Sequence, residues 1–174
     1  DAEDWAAELA SRGFEVTKLI DVKATRAAMS KALRTVIGGA KKGDTVVITF
    51  SGHGTVVPDE SGDEVDGYDE GLCPYDLQTG GGALIDDEIH EIFSARAAGV
   101  RLVLISDSCH SGTVTRAVAA DPDADDLPRP RFMPMGNWLP ADKLPRAASG
   151  APLTQVNTGA GASAFAKAVI RRNG

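Results

Sequence analysis

Apolar positions in this chain switch between a helical spacing and continuous β-branched runs. Residues 3–11 carry Trp5, Leu9 and several alanines and stop at Gly13, which predicts a helix. Residues 14–20 alternate apolar and polar, which predicts a strand. In residues 25–37, Ala28, Met29, Ala32, Leu33 and Val36 share one face of a second helix, ended by Gly38-Gly39. Residues 45–50 and 101–105 are apolar and β-branched and read as buried strands of a parallel sheet. Between them, residues 55–82 are rich in Gly and Asp and read as one long loop, a length that is usually functional or mobile. Residues 86–98 predict a helix with Ile89, Ile92 and Phe93 inward and Asp86 or Asp87 near its cap. Strands alternating with helices imply a three-layer α/β fold around a parallel sheet.

After Ala119 the periodicity stops. Residues 121–134 are rich in Pro and Asp and read as an exposed linker; residues 147–161 are small and polar. Residues 162–172 read as a short terminal helix. The expected organisation is one α/β domain over residues 1–118 and a linker with a C-terminal extension over 119–174.

Charge and cysteine content narrow the partners. The net charge of -7 argues against nucleic acid. No apolar run approaches the length of a membrane span, so no membrane partner is expected. Two cysteines do not suggest a disulfide framework, which favours a reducing, cytoplasmic setting. Residues 43–95 hold no Lys or Arg but many of the acids. Such a stretch attracts cationic substrate groups and divalent metals, or is simply a solvated acidic loop.

Two short segments carry the candidate chemistry. Ser51-Gly52-His53-Gly54 follows the first buried run, and Asp107-Ser108-Cys109-His110-Ser111-Gly112 follows the second. Strand ends are where α/β folds place reactive groups. A thiol is only slightly ionised at neutral pH, and a neighbouring imidazole can take its proton and later give one to a leaving amine. Cys109 is therefore the candidate nucleophile and His53 the candidate base and acid. Taken singly, each residue also fits a plain buried Cys or a satisfied His. His90, His110 and Cys73 match no common zinc spacing.

These segments resemble the metacaspases, a branch of the caspase-like cysteine peptidases. The resemblance extends to Asp63-Glu64-Val65-Asp66-Gly67-Tyr68-Asp69-Glu70, Pro74-Tyr75-Asp76 and Ile85-Asp86-Asp87-Glu88-Ile89. It is close over residues 1–115 and weak over 128–140. It implies a caspase-like fold, with a mostly parallel central sheet flanked by helices. It also implies a first core strand ahead of Asp1 and two smaller-subunit strands later, for which this sequence offers no candidate after Ile105. A smaller subunit or C-terminal region is thus an expected partner, and a monomer the expected state.

The resemblance also assigns roles. Backbone N–H groups of Gly54 and Cys109 would hold the developing oxyanion. Asp107, Ser51 and Asp1 would line the pocket for the residue before the cut bond, so cleavage of polypeptides after Arg or Lys is expected. Asp69, Asp86 and Asp87 match three calcium-binding positions, and calcium is the expected activator; no organic cofactor is implied. Arg116 stands where a further acid would be expected, and no EF-hand spacing is present. Arg129, Arg131, Arg146, Arg171 and Arg172 are candidates for self-cleavage. The alternative is a caspase-like domain without catalysis, kept for binding or regulation.

Overall fold

The structure is a computed structural model. It describes residues 1–62, 67–108 and 131–145, and the backbone of 166–172.

A central strand organises the fold. β2 (Thr45–Ser51) is buried over nearly its whole length, as its β-branched run requires. It pairs in parallel with β6 (Arg101–Asp107), and Ser51 stands opposite Asp107 at the end of the register. On its other side it pairs antiparallel with β7 (Ala166–Arg172), which in turn pairs with β1 (Glu15–Ile20). The sheet order is β1-β7-β2-β6, and β1, β2 and β6 all run the same way against β7.

Strand alternation splits β2 between two layers. Val46, Ile48 and Phe50 join the main core with Met29, Leu33 and Ile37 of α2 (Arg26–Gly39) and Ile92 of α3 (Asp86–Ser94). Val47 joins Leu9 of α1 (Ala2–Ser11) in a second cluster with Trp5, Phe14, Val16 and Ile105. Helices thus cover both faces of the sheet, in the three layers expected. α2 starts cleanly because Thr25 Oγ1 accepts the Ala28 N–H at 3.3 Å and Asp76 Oδ1 accepts the Arg26 N–H at 2.7 Å. A side chain at Gly81 would collide with the Asp76 carboxylate at 2.4 Å, so this second cap needs glycine there.

Four expectations are corrected. Residues 55–82 are not one loop: β3 (Gly54–Pro58), β4 (Tyr68–Leu72) and β5 (Leu84–Ile85) form a second, antiparallel sheet. Backbone pairing there outweighs a composition that favours turns. α3 stops at Ser94, short of residue 98. Residues 166–172 form β7 rather than a helix, so the C-terminal extension supplies the strand between β1 and β2, a strand after Ile105 where none was expected. β6 is less buried than expected: among the described residues it is at the edge of the sheet, with Val103 and Leu104 exposed by 37% and 42%.

Candidate active site

Parallel pairing brings the C-terminal ends of β2 and β6 together. His53 lies two residues beyond Ser51, and Cys109 two beyond its register partner Asp107. Cys109 and His110 themselves lie outside the described residues. The His53 turn is fixed from below: its carbonyl accepts the Cys73 N–H at 3.0 Å. Cys73 is fully buried in the main core, and burial pushes its thiol pKa far upward, so it is an inert structural residue.

His53 is half-buried. Desolvation is the main cause holding its pKa below the ordinary 6.5; a hydrogen bond to the Arg131 backbone raises it and the Arg131 charge lowers it further. A depressed pKa keeps the imidazole neutral near pH 7, the form able to accept a thiol proton.

Gly54 begins β3 and meets a segment from far along the chain. Its N–H donates to the Arg131 carbonyl at 2.8 Å, and its own carbonyl accepts the Met133 N–H at 2.7 Å. Thr55 Oγ1 donates to the Met133 carbonyl at 2.7 Å, and Trp138 Nε1 donates to Thr55 Oγ1 at 3.0 Å. Met133 and Trp138 pack against the main core.

The two acids singled out for substrate binding converge on one cation. Arg131 Nη1 donates to Asp107 Oδ2 and Nη2 to Asp1 Oδ2, each at 2.5 Å. Asp1 occupies the N-cap position of α1 yet makes no side-chain cap; its carboxylate faces Arg131 instead. Beside the pair runs an open groove of about 320 Å³ lined by Asp1, Asp4, Trp5, Glu8 and Asp107. Ser51 Oγ is buried with no hydrogen-bond partner among the described residues. A buried hydroxyl without a partner costs free energy.

Arg131 is a candidate cut site by sequence, and no local pattern places it between Asp1 and Asp107. Asp4, Trp5 and Glu8 were missed as lining residues. Their i, i+4 spacing on α1, one turn from Asp1, was the available signal.

The acids expected to bind calcium come from two elements. Asp69 is buried on β4, while Asp86 and Asp87 begin α3. Asp86 Oδ1 is buried without a hydrogen-bond partner among the described residues, which leaves one oxygen for a cation. Among the described residues, no three His, Cys, Asp or Glu side chains converge to hold a metal. Asp63, Glu64 and Asp66 lie outside the described residues.

A three-layer α/β fold with a His at one strand end and a Cys motif at its neighbour defines a class of thiol hydrolases. Residues 8–117 match the model of the family described as metacaspase, peptidase C14 domain, and the chain belongs to this family of cysteine peptidases. It is 47% identical over 91 residues to Metacaspase-1 of Arabidopsis thaliana, a match covering 52% of this chain and 24% of that protein. It is 47% identical over 89 residues to Metacaspase-1 of Schizosaccharomyces pombe, covering 51% and 21%. A crystal structure of a Geobacter sulfurreducens protein is similar with a TM-score of 0.63 and 43% identity, covering 78% of this chain and 47% of that one. The matched region is therefore about a fifth to a quarter of these curated relatives' length.

Proposed function

We propose that this chain carries the catalytic region of a cysteine endopeptidase that cuts polypeptides after Arg or Lys. One observation supports the specificity above others: Asp1 and Asp107 already hold a guanidinium, that of Arg131, beside His53. An acid pair grips a guanidinium through charge-assisted hydrogen bonds and repels an Asp side chain.

In this reading His53 takes the Cys109 proton, and the thiolate sulfur adds to the carbonyl carbon of the residue whose side chain fills the pocket. The N–H groups of Gly54 and Cys109 steady the negative oxygen. The carbon–nitrogen bond then breaks, the amine leaves with the proton His53 held, and a thioester remains. Water, its proton taken by His53, adds to the thioester and releases the acid and the thiol. Asp107, Asp1 and Ser51 hold the basic side chain throughout.

The test is a chloromethyl ketone peptide ending in Arg, added to the full-length protein and followed by peptide mass spectrometry. Cys109 gains the label with the Arg reagent and not with an Asp-ending one. Equal labelling by both, or none, contradicts the specificity. Calcium activation through Asp69, Asp86 and Asp87 is a separate proposal. It predicts that calcium raises the labelling rate and that Asp86→Asn abolishes this rise; the same rate with calcium and with a chelator overturns it.

A further inference from the structure

Arg131 does what a substrate residue before a cut bond would do. Its side chain lies between the two pocket acids, and its carbonyl accepts from the proposed oxyanion donor Gly54. The chain continues alongside Gly54 in parallel, through the bridge between Gly54 and Phe132. The anchors lie downstream, where Thr55 holds Met133 and Trp138. Residues 133–138 are thereby fixed to the body of the fold and deliver Arg131 to the pocket.

We propose that Arg131 is an intramolecular occupant of the acid pocket, so that residues 131–133 compete in cis with any external Arg or Lys. This rests on the basic-residue pocket proposed above and names how that pocket is regulated. Two physical points support it. A tethered cation reaches the acids at a local concentration that no free peptide matches. The contact is also reversible by construction: Arg131, Asp1 and Asp107 remain exposed by 38%, 53% and 56%, and ion pairs that exposed are weak. The pocket therefore opens and closes, and a ligand's apparent affinity falls by the fraction of molecules that are open.

The experiment uses agmatine, a small guanidinium, and isothermal titration calorimetry. The full-length protein carries Cys109→Ala, which separates binding from turnover. Adding Arg131→Ala, or Arg131→Gln as a second variant, is expected to tighten agmatine binding by roughly tenfold. Adding Arg131→Lys keeps the affinity near the parent value. Unchanged agmatine affinity in both the Ala and Gln variants overturns the occlusion. Absence of agmatine binding in every variant overturns the acid pocket itself, and the occlusion with it. Failure of the peptidase reading is a different result, read in turnover and not in this titration.

Discussion

Replacing Asp107 by Ala has a consequence that depends on Arg131. Asp107 supplies one of the two carboxylates on the Arg131 guanidinium, at 2.5 Å. A hydrogen bond to a charged group contributes about 1.5–3 kcal/mol when sheltered. Asp107 is 56% exposed, so solvent screening reduces this to about 1–2 kcal/mol. For an external Arg peptide bound to an open pocket, that is a roughly 5- to 30-fold loss of kcat/KM. In the native chain the same substitution also loosens Arg131, which opens the pocket and offsets the loss. The full effect is therefore expected only in the Arg131→Ala background. The assay is kcat/KM for an Arg-ending fluorogenic amide, with a citrulline-ending one as the neutral isostere. Asp107→Ala should cost at least three times more in the Arg131→Ala background than in the native one, an order-of-magnitude expectation from competing equilibria. The citrulline substrate should be nearly indifferent. Equal losses in both backgrounds, or equal losses for Arg and citrulline, would refute the reasoning.

Further outcomes follow from the same geometry. In the Cys109→Ala protein, His53 followed by NMR should titrate below 6.5, because burial disfavours the imidazolium. The unfolded chain then binds the extra proton, so the stability from neutral His53 is present above 6.5 and lost as pH falls through the folded-state value. A titration at or above 6.5 removes the burial argument. Of the two thiols, Cys73 should resist a disulfide reagent until the protein is unfolded, and rapid labelling of both in the native state would contradict its burial. If the endopeptidase cuts itself at the bond Arg131 presents, wild-type protein yields a fragment beginning at Phe132 that the Cys109→Ala protein lacks. Fragments only after other basic residues would show that Arg131 is not the bond presented.

Parts of this arrangement were readable from local pattern. The β-branched run before Ser51, the apolar face of α2, and the glycine stop after α1 each agree with their tertiary role. The second sheet was not readable, because Tyr68–Leu72 carries Asp69, Glu70 and Gly71, which locally favour a turn. β7 reads as helix from its Ala, Lys and Arg content; only pairing with β1 and β2 makes it a strand. At the site, the His53 and Cys109 motifs and the pocket acids stood out as sequence. The grip of Asp1 and Asp107 on Arg131 did not, since it joins residues from opposite ends of the chain and no local period encodes such a contact.

The most direct test of the central claim is hydrolysis of matched Arg-, Lys- and Asp-ending fluorogenic peptides by the full-length protein, beside its Cys109→Ala variant. The account predicts turnover of the Arg and Lys peptides, none of the Asp peptide, and loss of all turnover in the variant. Hydrolysis after Asp, or Arg turnover that survives Cys109→Ala, would contradict it.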